Sequence, residues 1–197
     1  MKRIVLCTIA LLLISGAVGC TKEELRVGEI TADTMVARAN GELQVATVEA
    51  FDKDYYNLEE LKRYIQEQVD TYNTKAGGEK ITVDDVDKKE NNAVMILTYS
   101  GMDQYSSFNE VPAAYFSGGV ENISLKLPST LVNAKDGSLA STDEILKDEK
   151  YRILVLNEPY HIIVDGKIKY YSEKATLVDD NEIDGTAEDM TIVVFKK

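Results

Sequence analysis

The first twenty residues, MKRIVLCTIALLLISGAVGC, set the conditions under which the rest of the chain must fold. Lys2 and Arg3 make a positive start. Ile4 to Ile14 is apolar except for Thr8, and Ser15 to Gly19 supply small residues before Cys20. Charge, apolar core and small-residue exit in that order are the pattern of a secretory signal. The apolar run falls short of the about 20 residues that span a bilayer. Residues 1–19 are therefore read as a removable signal peptide, and the rest of the chain as a domain that folds outside the cytoplasm.

The ending Ala17-Val18-Gly19-Cys20 resembles the bacterial lipobox, with Ala17 where leucine is commonest. The resemblance implies cleavage after Gly19 and a diacylglycerol on the Cys20 sulfur. One acyl chain holds a protein to a membrane only marginally, whereas two make a stable anchor. The expected location is the extracytoplasmic face of the cell membrane, and the membrane itself is the first expected partner, through Cys20. Residues 20–29 read as the lipidated cysteine and a short tether, and 30–197 as a single domain.

Cleavage leaves 178 residues, enough for one domain with its own core. Lys2 and Arg3 leave with the signal, so 20 basic side chains face 34 acidic ones. That balance disfavours nucleic acid and anionic headgroups as partners. Cys7 leaves as well and Cys20 is acylated, so the folded part has no thiol for a disulfide, a Cys-based zinc site or thiol catalysis. There is no Trp to stack on sugars, although 11 Tyr remain.

Along the mature chain, Thr34 to Ala39 and Leu43 to Ala50 flank Asn40-Gly41, the strongest short hairpin signal. Asn57 with Glu60 three places on makes a capping box. Leu58, Leu61, Ile65, Val69 and Tyr72 then recur on one helical face, and Gly77-Gly78 stops the pattern. The spacing predicts a long amphipathic helix over about 57–76. Ile81 to Glu90 and Ala93 to Tyr99 form a second strand pair. Ala93 to Leu97 is apolar on both faces, as in the middle strand of a covered sheet. Ser100 is positioned to cap a short helix near 101–109, with Met102, Tyr105 and Phe108 inward and Pro112 preventing extension.

The segment 113–150 is less regular. Ile123, Leu125 and Leu127 alternate as in a strand, and Ser141 with Glu144 frames one helical turn. Strand signals resume at Tyr151–Leu156, Tyr160–Val164, Lys167–Tyr171, Ala175–Val178 and Met190–Phe195, with Asp165-Gly166 predicting a tight hairpin between the second and third. The expected class is α+β: a largely antiparallel sheet built from hairpins, with the long helix packed on it.

The succession Val69-Asp70-Thr71-Tyr72-Asn73, Leu97-Thr98-Tyr99 and Tyr105-Ser106-Ser107-Phe108-Asn109, followed by the strand-rich Gly166–Ser172 and Ile192–Lys196, resembles small lipoproteins of clostridial and related Gram-positive bacteria. Their function is unassigned. The resemblance covers most of the chain and implies location and fold relatives, with no catalytic residue to carry over.

Candidate chemistry is sparse. His161 is the one histidine, and no Gly-x-Ser-x-Gly elbow accompanies it, so it reads as structural or surface. Asp180, Glu182 and Asp184 with Gly185 imitate the start of a calcium loop, but its twelfth position is Thr191 where a bidentate Glu is required. They are weak cation-site candidates, better read as a solvated acidic hairpin. Asp84, Asp85 and Asp87 read as an exposed edge that resists aggregation. Tyr55-Tyr56 and Tyr170-Tyr171 would each place one ring inward and one outward. No cofactor is implied.

The function expected from these residues is a non-catalytic binding or accessory module, with an envelope protein or a glycan as partner. Two alternatives stand beside it. A cell-wall or glycan hydrolase would need two carboxylates facing each other in a cleft. A small solute-binding lipoprotein would need two lobes and a crevice.

Overall fold

The computed structural model describes residues 24–119 and 125–197. Cys20 and the predicted strand residue Ile123 lie outside them. Strands β1 (Thr34–Ala37) and β2 (Leu43–Ala50) pair antiparallel around Asn40-Gly41, where Gly41 takes φ 91°. Helix α1 (Leu58–Ala76) begins at Asn57, whose side chain accepts from the amides of Glu59 and Glu60, and it ends at Gly77 in the left-handed conformation. Strands β3 (Ile81–Lys89) and β4 (Asn92–Tyr99) pair next, with a bulge between Val83 and Asp85. Helix α2 (Met102–Asn109) starts at Gly101, without a side-chain cap. Ser100, expected in that role, lies one residue before the cap, in the bend after β4, where its amide donates to the Lys80 carbonyl.

Four short strands and one helical turn come next: β5 (Ala113–Ser117), β6 (Thr130–Asn133), β7 (Leu139–Ser141), α3 (Thr142–Leu146) and β8 (Arg152–Leu156). The remaining strands are β9 (His161–Val164), β10 (Lys167–Tyr171), β11 (Thr176–Asp179), β12 (Glu182–Asp184) and β13 (Thr191–Lys196).

These strands assemble into two sheets. The larger runs β11-β12-β9-β1-β2-β4-β3, and the other runs β5-β8-β13-β10-β6-β7. All pairings are antiparallel except β1 with β9. The centre of the seven-stranded sheet is β1; β4, expected there, lies one strand from the edge.

The expected α+β class is corrected by this arrangement. Among the described residues thirteen strands in two sheets dominate and only 19% of the residues are helical, so the fold is mainly β with minor helices. The physical reason is what covers the sheet. Met35, Ala37, Val45, Ile162, Val164 and Ile183 of the larger sheet share one buried cluster with Leu154, Leu156, Val193 and Phe195 of the smaller one. Ile65 and Val69 of α1 join that cluster but do not constitute it. The other face of the smaller sheet is buried too: Ile153, Val155, Ile192 and Val194 pack with Leu131 and with Ile145 of α3. Strands covered on both sides lose polar alternation, which is why RILVL and TIVVF are almost wholly apolar.

The predicted Asp165-Gly166 hairpin is also corrected. β9 and β10 belong to different sheets, and the turn carries the chain from one to the other. Gly166 has φ 152°, and a Cβ there would come within 2.5 Å of the Lys196 carbonyl oxygen. The glycine serves a backbone crossing.

The outer face of the larger sheet carries Ala46, Val94 and Ile96, covered by Leu25, Val27 and Ile30. The Leu25 amide donates to Gln44 Oε1 at 2.9 Å, and Lys89 Nζ donates to the Ile30 carbonyl. From Leu25 onward the stretch read as tether is thus laid against the sheet.

Candidate functional site

Helix α1 covers β3 and leaves part of the adjoining sheet face open. The result is a groove with a volume of about 470 Å³. Its floor is Thr47 of β2 with Met95, Leu97 and Tyr99 of β4, alternate residues on the inner face. One wall is the stripe Tyr64, Gln68, Thr71, Tyr72 and Lys75 of α1, at the spacings of three and four that share a helical face. The other wall is Ser107, Phe108, Asn109 and Glu110, where α2 ends.

The chain has local reasons to stop there. Glu110 adopts φ 57°, and its amide returns to the Ser106 carbonyl. The Val111 amide donates to the same carbonyl, while Ser106 Oγ donates to the Val111 carbonyl. Pro112 then has no amide to continue the ladder. Glu90 and Glu110 are the described non-glycine residues with positive φ. Glu90 turns a hairpin, whereas Glu110 sits at the groove.

Asn109 is held from behind. Its Nδ2 donates to the Tyr105 carbonyl at 2.9 Å and to Tyr99 Oη at 3.2 Å. Burial pushes the Tyr99 hydroxyl up to about 12, against the opposing pull of the Asn109 bond and helped by nearby Tyr160. Tyr99 therefore stays protonated at neutral pH, accepting from Asn109 and keeping its own hydrogen to donate. Behind the groove a series of edge-to-face rings runs inward: Tyr72 to Phe108 at 5.6 Å, Phe108 to Tyr99 at 6.1 Å, Tyr99 to Tyr105 at 5.4 Å and Tyr105 to Tyr160 at 6.4 Å. Such contacts contribute about 0.5–1.5 kcal/mol each beyond area burial, so the polar wall stands on a rigid base.

Chemically, the groove offers hydrogen bonds, ring faces and an apolar floor. Its described lining has one carboxylate, Glu110, and one cation, Lys75.

The residues singled out from sequence lie elsewhere. His161 Nδ1 is 2.7 Å from Asp184 Oδ1 and its Nε2 is 3.7 Å from Glu182 Oε2. The register of β12 on β9 sets Asp184 opposite His161. Asp180 is separated from them at the hairpin turn, where Lys167 pairs with it and holds its carboxyl below the usual range. The three acidic residues of the apparent calcium loop are thus divided between two partners. Among the described residues no group of three or more His, Cys, Asp or Glu is arranged to hold a metal ion.

Asp84, Asp85 and Asp87 are exposed on β3, which is an edge strand, as expected. Asp84 Oδ2 also accepts from Gln44 Nε2 at 2.7 Å and from Thr98 Oγ1 at 2.6 Å, binding three strands together. Tyr170 and Tyr171 do take opposite faces of their sheet. Tyr55 and Tyr56 are both exposed.

The groove itself had little signature in sequence. Ile65, Tyr72, Tyr105 and Phe108 are legible as apolar helix faces. Tyr64, Gln68, Asn109 and Glu110 read as ordinary helix surface. The usable signal was Asn109-Glu110 just before Val111-Pro112: an acidic residue where a helix must end and where glycine is usual. No described helix is long and apolar enough to cross a membrane. No protein-family model matches the chain, and neither a curated protein nor a solved structure shows significant similarity to it.

Proposed function

We propose that this chain is an exported lipoprotein, held on the extracytoplasmic face of the cell membrane through Cys20, whose domain works as a non-catalytic binding module. The groove between α1, β4 and the end of α2 is its binding site. The observation that carries the binding role is the prearranged polar wall: Asn109 fixed by two hydrogen bonds, beside a protonated Tyr99, at the edge of an apolar floor. Ligand sites commonly combine an apolar lining with a few placed polar groups in about 300–1,000 Å³. Hydrolysis of a glycosidic bond by two carboxylates would need a second carboxylate about 5–9.5 Å from the first, and the described lining supplies Glu110 alone. The anchor is supported by the Ala17-Val18-Gly19-Cys20 pattern and by the resemblance to Gram-positive lipoproteins.

The anchor is tested by metabolic labelling with an alkyne fatty acid, then fractionation. The expected result is label on the wild-type chain in the membrane fraction, with Cys20→Ala unlabelled and unprocessed at the signal. A wild-type chain that takes up no label overturns the anchor.

A further inference from the structure

We infer that the groove takes a neutral pyranose sugar, recognised through a pair of neighbouring hydroxyl groups. The inference rests on reading this groove as the binding site. Three observations narrow the ligand to that class.

The first is the donor–acceptor pattern. Both hydrogen bonds of the Asn109 side chain are made by Nδ2, which leaves Oδ1 as an acceptor. Tyr99 is only 3% exposed but lines the groove floor; its Oη, 3.2 Å from that Nδ2, accepts there and has one hydrogen left to give. An acceptor and a donor therefore stand side by side. In a trans peptide unit the N–H and C=O point in opposite directions, so a single peptide group does not engage both, and a peptide would have to present the N–H and C=O of two successive groups in an extended register. Two adjacent sugar hydroxyls can: one donates to Asn109 while its neighbour accepts from Tyr99, since a hydroxyl does either.

The second is charge. The whole chain carries a formal net charge of −12, yet the described groove lining balances Lys75 against Glu110. A neutral ligand suits it better than an ionic one. The third is the backbone. β2 is paired with β1 and β4, and β4 with β2 and β3. The floor thus presents no free edge to which a peptide strand could be added. The rings of Tyr64, 59% exposed, and half-buried Tyr72 supply apolar surface for the C–H face of a sugar.

The test uses the full mature chain in detergent micelles, with 1H–15N spectra recorded during titration. The probes are the methyl glycosides of glucose, mannose, galactose and N-acetylglucosamine, the β-1,4-linked tetrasaccharide of each, and a set of N-acetylated tripeptide amides. The single-sugar and tetrasaccharide arms separate a free sugar from a polymer as the source. The expected result is a saturable shift of the Asn109 side-chain amide with at least one sugar. Affinity should fall at least tenfold in Tyr99→Phe, which keeps the ring, and at least tenfold in Asn109→Leu. Removing one hydroxyl of the recognised pair from the sugar should cost a similar factor. A matching thermal melt for each variant shows that it still folds.

Sugars that bind with affinity unchanged in both folded variants overturn the inference. Tripeptides that saturate the Asn109 shift while no sugar does overturn the sugar class and leave the groove as a binding site. No probe of either kind shifting Asn109 overturns the inference and the groove reading together.

Discussion

Glu110 holds a conformation that suits it poorly. An L side chain in the left-handed region costs roughly 1–2 kcal/mol, which glycine escapes at the expense of about 0.5–1 kcal/mol of unfolded-state entropy. Glu110→Gly should therefore be more stable than wild type by about 0.5–1 kcal/mol, read as a rise in the urea midpoint at constant slope. A drop in the midpoint would mean that the carboxylate makes a compensating contact. Residue-level rules worked where the residue type matched its conformation: Asn40-Gly41 turns the first hairpin and Asn57 caps α1. They fail at Glu110, because a glutamate in a glycine position gives no local signal of the turn it makes. They fail at Ser100 because Gly101 takes the N-cap position and has no side chain to cap with, which leaves Ser100 one residue too early.

Asn73 joins two elements through one amide group. Its Oδ1 accepts from the amides of Lys80 and Ile81, at 2.8 and 3.0 Å, and its Nδ2 donates to the Ile81 carbonyl at 2.8 Å. The last turn of α1 is thereby fastened to the first residue of β3 across the Gly77-Gly78 turn. Asn73→Ala leaves those partly buried backbone groups unpaired, a loss of about 1–3 kcal/mol. The amides of Lys80 and Ile81 should exchange with solvent faster than those at the centre of β4, in a hydrogen-exchange comparison with wild type. Equal protection would show that α1 is held by its apolar face, Leu58, Leu61, Ile65, Val69 and Tyr72, without Asn73. The long elements, α1, β3 and β4, were legible because their periodicity runs for two turns or more. β7 and β12, of 3 residues each, are too short to establish alternation, and the last of these was visible only as an acidic loop. Asp165-Gly166 was misread because a turn dipeptide does not reveal which sheet the following strand will join.

The molecule as a whole depends on tyrosines that remain protonated. Burial, first among the causes, pushes Tyr99 and Tyr115 up to about 12 and moves Tyr105 and Tyr160 upward as well. An unfolded tyrosine ionises near about 10. Below that pH both states hold the proton and the contribution is complete. Between about 10 and 12 the unfolded chain has released protons that the native state retains, so stability falls as pH rises. Urea midpoints measured from pH 9 to 12 should decline through that window, and Tyr99→Phe should make the decline shallower. A profile identical in the variant would remove Tyr99 from this role. The global arrangement was illegible for a related reason: it rests on distant partners. β1 pairs in parallel with β9, setting Thr34 beside His161, and no local pattern announces such a contact.

The docked start of the domain limits where the proposed groove can operate. Only four residues lie between Cys20 and Leu25, whose amide is fastened to Gln44. Fully extended, that leash reaches about 17 Å. Gln44 is registered against Thr98, the neighbour of Tyr99 at the groove floor, so the site lies near the fastening point on the opposite face of the same sheet. On the proposed anchor, the domain patrols a thin layer next to the bilayer and cannot reach far into the surrounding wall. Its quarry must be brought to the membrane surface or made there. Confinement to that layer raises the rate of encounter with such molecules without one additional contact.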